Sequence, residues 1–316
     1  MANPIGWTTA GPAPRTGTFR RRKGSRIAWA YVFILPQLLF LILFTLYPII
    51  MSYVYSFYDW NGIGPLDDFV NFDNYSRAIG DERFWNAFKN SFIYTGGVTL
   101  LLMPSSLLLA IWLNNSMLKG RVIYRTLYFL PVVTTTAIIG IIMRSIFGNQ
   151  HAFFNELLIS LRMLQEPYSW LGKPTSAMII VIVIGSWKFF GMMMVYWLAG
   201  LQSLPKDIYE AASIDGCDAV KTFRYMTLPL IMPIAAVVLL LCVTNSLHVF
   251  DLVKTLTEGG PYYSTDMMDL YIYRQVFDIS GFPQYGYASA AGIIFGLSVF
   301  GITLVLSWFV KQARTR

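Results

Sequence analysis

Glu210-Ala211-Ala212-Ser213-Ile214-Asp215-Gly216, followed by Leu228-Pro229, is a polar, helix-prone segment held between two strongly apolar runs. Pro205 suits the first turn of a helix, where a missing N–H removes no bond. Asp207 and Glu210 then complement the positive helix start. Ile208, Ala211 and Ala212 fall at helical spacing on one face, and Gly216 can adopt the left-handed conformation that ends a helix. Asp218 offers a cap for a second short helix carrying Val220 and Phe223. Leu228-Pro229 and Pro233 mark the return to the apolar run. A polar helix–turn–helix has nothing of its own chain to do in lipid. It reads as a docking surface, with small alanines that permit a partner's close approach.

Composition sets the surroundings of this loop. The chain has 316 residues, 55% hydrophobic and 16% aromatic, but only 13% charged. Soluble domains carry roughly 25% charged residues, so this is an all-α integral membrane protein with no room for a soluble catalytic domain. A bilayer core of about 30 Å takes roughly 20 apolar residues as helix. Six stretches qualify: 29–57, 92–113, 127–147, 176–201, 231–250 and 287–310. The segment 1–25 reads as a flexible basic arm, 26–316 as the transmembrane domain, and 202–230 as its polar loop. Arg20–Lys23 and Arg26 precede the first run as in a signal peptide, but that run far exceeds the ~7–15 apolar residues of a signal core. It reads as a retained span.

Lysine and arginine give the orientation. Fifteen of the 24 fall in the two termini and in the loops after spans two and four, against seven in the other loops. Both termini and the 202–230 loop are therefore expected on the cytoplasmic side. The net charge of +7 follows from this placement and does not point to nucleic acid. Cys217 and Cys242 fall in the loop and a span, so neither a disulfide nor a metal framework is visible.

Several polar groups stand within the apolar runs, where they are costly and mark pathways. Lys188 interrupts the fourth run beside Trp187; an ammonium can donate to sugar hydroxyls, and an indole can stack on a pyranose ring. The bland reading has Lys188 snorkel or pair with a partner's carboxylate. The fifth run ends with Thr244, Asn245, Ser246, His248 and Asp251, too many hydrogen-bonding groups for a lipid-facing helix, although some can bridge to neighbouring helices.

Taken in order, further short pieces resemble one family. They are Leu46-Tyr47-Pro48 with Ser56-Phe57, Asn71-Phe72-Asp73-Asn74-Tyr75, and Tyr124-Arg125 with Phe129-Leu130-Pro131. Next come Leu201-Gln202-Ser203-Leu204-Pro205, Leu256-Thr257-Glu258-Gly259-Gly260-Pro261 with Thr265, and Tyr285-Gly286 with Ala288 and Ala290. With the EAA loop, the chain resembles the binding-protein-dependent ABC permeases of carbohydrate uptake, the MalF-like (maltose-type) family. Met226, where that family usually has Ile, is a small departure.

The resemblance implies an ABC importer permease fold in a bacterial plasma (inner) membrane. It implies a second homologous permease, two ATP-binding subunits, an extracytoplasmic solute-binding protein and a carbohydrate substrate. It implies that Glu210, Ala211, Ala212, Asp215, Gly216, Leu228 and Pro229 couple to the ATPase, and that Gly259, Gly260 and Pro261 face the binding protein. Thr136, Trp187, Lys188, Cys242 and Ser246 align with the family's sugar site, and Asn245, His248 and Asp251 extend that pathway. ATP and Mg would sit on the partner, since no Gly-x-x-x-x-Gly-Lys-[Ser/Thr] loop is present. The rival expectation is a stand-alone transporter driven by an ion gradient, with Lys188, His248 and Asp251 as a proton relay. A membrane-embedded enzyme would need His-Glu-x-x-His or paired intramembrane aspartates, and neither occurs.

Overall fold

In the computed structural model, residues 22–115, 117–148, 152–277 and 281–314 are described; residues 1–21 of the expected arm, and His151, lie outside them. Apart from one isolated bridge between Tyr58 and Phe69, the described residues hold no strand. Lipid enforces this, because each backbone polar group must be satisfied within its own helix.

Internal packing divides the chain into Met1–Met51 and Ser52–Arg316. The first unit holds α1 (Arg22–Leu41), a π turn over Ile42–Leu46 and the start of α2 (Tyr47–Tyr55). The helix thus begins inside the segment expected to be a flexible arm. Its apolar run, Tyr31–Tyr55, exposes its side chains along its length, as suits lipid or another subunit.

The second unit carries α3 (Asp73–Gly80), α4 (Glu82–Asn114), α5 (Arg121–Val133), α6 (Thr136–Phe147) and α7 (Phe153–Ser160). It continues with α8 (Pro174–Gln202), α9 (Lys206–Ile214), α10 (Ala219–Thr222) and α11 (Leu228–Leu247). The last elements are α12 (Asp251–Leu256), α13 (Met268–Phe277) and α14 (Tyr285–Arg314). At its centre α4 lies on α8, where Tyr94, Val98 and Leu102 meet Val181, Ile184, Met193 and Met194. Small residues allow this approach, as in membrane helix pairs generally: a Cβ on Gly185 would overlap the Tyr94 hydroxyl. A second cluster joins Phe84 and Ala87 of α4 to Tyr271, Tyr287, Ala291 and Phe295.

Three spans differ from expectation. The second run, expected over 92–113, starts ten residues earlier as α4, because Asp81 caps its first turn and Phe84 and Ala87 are buried. The fifth is expected over 231–250. It is instead one helix over Ala219–Leu247, with a π turn at Phe223–Thr227 that carries it past Pro229, and it stops before His248. Asp251 therefore opens α12 and does not lie in the span.

The third run, expected as one helix over 127–147, is broken. Between α5 and α6 the axis turns by 93° at Thr134-Thr135. Pro131 already removes an intrahelical donor there, and Thr134 and Thr135 are extended.

Candidate functional site

The α5–α6 break, the end of α11 and the start of α12 converge on a cavity of about 300 Å³. That volume is at the lower end of the ~300–1,000 Å³ typical of small-molecule sites. Thr136 enters it as the first residue of α6. Cys242, Asn245 and Ser246 enter from the last turns of α11, His248 from the irregular stretch beyond, and Asp251 from the first position of α12. These residues, predicted from separate pieces of sequence, thus line one cavity. Thr244 is turned away, its hydroxyl donating to the Leu240 carbonyl at 2.7 Å.

The rest of the lining had no signal in the sequence. Tyr94 of α4, Phe189 and Met193 of α8, and Asp269 of α13 complete the cavity. Asp269 approaches His248, with Nδ1 3.5 Å from Oδ1. Thr99 of α4 meets the buried Cys242 thiol, Oγ1 to Sγ 3.8 Å. The surface is mixed: aromatic and apolar area from Tyr94, Phe189 and Phe250, with carboxylate, amide, hydroxyl and imidazole groups spaced around it. It can stack on an apolar ring face and hydrogen-bond to hydroxyls at the ring's edge.

Trp187 and Lys188 do not line this cavity. Trp187 is on the exposed side of α8. Lys188 is buried, and its ammonium donates to the carbonyls of Pro131 at 2.8 Å, Val132 at 3.0 Å and Thr134 at 2.5 Å. It does not snorkel, and among the described residues it pairs with no carboxylate. An ammonium has three donors, and all are spent on the end of α5, so none remains for a solute hydroxyl.

The 206–230 loop folds as its caps dictate. Asp207 and Glu210 are exposed on α9. The helix closes with Gly216 at φ +71°, Cys217 N–H donating to Ala212 O at 3.0 Å and Gly216 N–H to Ser213 O at 3.2 Å. These are the paired bonds of a Schellman end. Asp218 then accepts from the Lys221 N–H at 2.7 Å and starts α10. Of the two alanines expected to face a partner, Ala211 is exposed but Ala212 is buried, at 2% exposure. Asp215, Leu228 and Pro229 are exposed, together with the large apolar side chains of Ile214, Val220 and Tyr225.

Near the other end of the spans, Gly259 is buried at φ +76° against Arg274 and Asp266, while Gly260 and Pro261 are partly covered. Glu258, Tyr262 and Tyr263 are the exposed residues of this loop. Arg274 binds Asp266 at 2.9 Å and also donates to the Glu258 carbonyl. Burial pushes the Asp266 carboxyl up to about 6, against the pull of Arg274 and Arg83. A hydrogen bond from Arg144 holds the exposed Glu258 below the ordinary carboxylate range.

Comparison with known proteins shows which chains this one is similar to. The profile of the family described as binding-protein-dependent transport system inner membrane component matches residues 103–315. The arabinooligosaccharides transport system permease protein AraP of Bacillus subtilis is 32% identical over 284 residues, covering 89% of this chain and 88% of that protein. The lactose transport system permease protein LacF of Rhizobium radiobacter is 32% identical over 286 residues, covering 90% and 94%. A chain from the crystal structure of a bacterial ABC transporter involved in the import of the acidic polysaccharide alginate superposes with a TM-score of 0.79. It is 26% identical, over 91% of this chain and 96% of that one.

Proposed function

Because the chain belongs to the family of binding-protein-dependent transport system inner membrane components, we propose that its cavity is part of a saccharide passage worked by an ATPase docked on the 206–227 loop. The chain is a permease subunit of an ABC importer and a multi-pass protein of the bacterial inner membrane. The saccharide, the docking residues and the subunit composition are our reading. A sugar passage is supported by relatives that carry arabinooligosaccharides and lactose, and by the mixed aromatic and hydrogen-bonding cavity.

In this reading a solute-binding protein delivers the sugar on the side of Tyr262 and Gly260-Pro261. A neighbouring importer crystallised with its pentasaccharide-bound periplasmic protein lends this support. A sister permease completes the passage, and each permease offers one loop to one of two ATP-binding subunits in the cytoplasm. Glu210, Ala211, Asp215 and Gly216 then shape the docked surface, with Ile214 and Val220 as its apolar anchors. ATP-driven closure of the ATPases moves the loops and turns the passage outward; hydrolysis resets it. Thr136, Asn245, Ser246, His248 and Asp251 hold the solute's hydroxyls during transit.

The observation that carries this reading is that these residues meet in one cavity at the end of the same 29-residue helix, Ala219–Leu247, that begins in the loop. The test is gentle extraction of the tagged chain from its native membranes, followed by identification of co-purifying subunits and ATPase assay. A sister permease and an ATPase whose hydrolysis rises with the binding protein support it. A chain that elutes alone after crosslinking, and takes up sugar on an ion gradient without ATP, overturns it.

A further inference from the structure

A helix that ends inside a membrane leaves its last carbonyls without partners, and lipid supplies no water to satisfy them. Helix α5 ends this way at Val133, beyond which the chain turns through 93° into α6. The carbonyls of Pro131, Val132 and Thr134 at this corner point at one group, the Lys188 ammonium, which reaches across from α8. Three donors meet three acceptors, and a cation at a helix C-terminus is further favoured by the helix dipole. Lys188 is 3% exposed, and no carboxylate pairs with it among the described ion pairs. The break and the buried cation therefore stabilise each other, and each would be costly alone.

The corner bears on the cavity in two ways. Thr136, the first residue after the break, lines it directly. Helix α6 also packs closely on α12, where a Cβ on Gly140 would overlap the Thr255 side chain, and α12 opens with the cavity residue Asp251.

Resting on the reading of this cavity as the solute passage, we infer that Lys188 is its positioning residue. It touches no solute. By holding the α5–α6 corner, it fixes where α6 and α12 present Thr136 and Asp251.

The test uses the full chain in its native assembly, with Cys217 and Cys242 replaced by Ser and a reporter, Thr136→Cys, on the cavity wall. The probe is a small, charged, membrane-impermeant maleimide, and the readout is the alkylation rate. Lys188→Arg keeps a multidentate cation and should leave that rate within about twofold, well under the factor of one lost hydrogen bond to a charged group. Lys188→Met should change it by on the order of tenfold, the factor that about 1.4 kcal/mol represents. A wild-type rate in Lys188→Met overturns the inference, because a purely stabilising lysine would lower the yield of chain without moving Thr136. If Lys188→Met does not reach the membrane, Lys188→Gln, with two N–H donors, is measured instead; an altered rate supports the positioning role and a wild-type rate overturns it. Alkylation requires no solute, so absence of saccharide transport would count against the proposed function and leave this result standing.

Discussion

The hydroxyl of Tyr271 donates to the Asp81 carboxylate at 2.6 Å, joining residues 190 apart in the chain. Tyr287 donates to the same oxygen at 2.9 Å, and the two phenols lie 2.6 Å from each other. Asp81 also caps α4 by accepting from the Arg83 N–H. One carboxylate thus ties the start of α4 to α13 and α14. Burial acts to raise its pKa, but the hydrogen bonds from Tyr271, the Arg83 amide and Tyr287 outweigh that and leave it lowered.

Tyr271→Phe removes this tie while keeping the ring. Hydrogen bonds to charged groups contribute about 1.5–3 kcal/mol, so thermal unfolding in detergent should come several degrees earlier. Tyr287→Phe should do the same to a smaller extent, since Tyr271 is the shorter donor. Equal Tm values for wild type and both variants would show that the network adds nothing.

Asp266 gives a pH dependence of known sign. Its folded pKa of about 6 lies above the ordinary 3.8, so the folded chain binds that proton more tightly than the unfolded chain. The resulting stability is fully present below the ordinary value and is lost as pH rises through about 6. Asp266→Asn keeps the neutral shape and lacks the titration. Between pH 4 and 7 the wild type should therefore lose Tm relative to the variant, and a constant difference across that window would refute the assignment.

Gly216 is required for its backbone and not for space: φ is +71°, and nothing lies within 4 Å of where a Cβ would sit. Asn tolerates that region, whereas a β-branched residue there costs at least ~1–2 kcal/mol. Gly216→Asn should retain transport, and Gly216→Val should insert normally but lose uptake and stimulated ATP hydrolysis. Glu210→Lys should share the second phenotype through charge alone. Equal uptake in Gly216→Val and wild type would remove the coupling role from the Schellman end.

Gly191 lies one turn beyond Lys188 on α8, and a Cβ there would overlap the Tyr128 carbonyl of α5. Overpacking of this kind costs about 1–3 kcal/mol and pushes elements apart. Gly191→Val should therefore draw Lys188 away from the α5–α6 corner. The alkylation readout at residue 136 should move in the same direction as in Lys188→Met. Opposite directions would mean that the two sites act independently.

The parts of the fold legible in the sequence are those determined by near neighbours. Pro205, Gly216 and Asp218 set the ends of α9 and α10 within a few residues of themselves, and the helices form where those signals lie. The α5–α6 break was hidden because its partner, Lys188, stands more than fifty residues away. Pro131 and the run Thr134-Thr135-Thr136 were the available local signals. Lys188 and Trp187 are adjacent in sequence, yet neighbours on a helix point about 100° apart. One is buried on the corner and the other is exposed. Polar residues near the end of α11 were legible as a cavity wall because lipid tolerates few of them. Asp269 had no such signal; α13 carries it in from a separate segment, and only folding sets it beside His248.

Pro229 and Pro233 lie within the one long helix Ala219–Leu247, whose regular winding is interrupted by the π turn at Phe223–Thr227. At 1.5 Å per residue it is a rod of about 43 Å, one end in the exposed loop and the other at Asn245 and Ser246 on the cavity rim. Moving as one body, it would turn a tilt of about 5° at the loop into roughly 4 Å at the far end, more than one hydrogen-bond length. Used as a lever, it would have a gain fixed by residue count. Lengthening or shortening it would change the stroke of the importer without touching either end's chemistry.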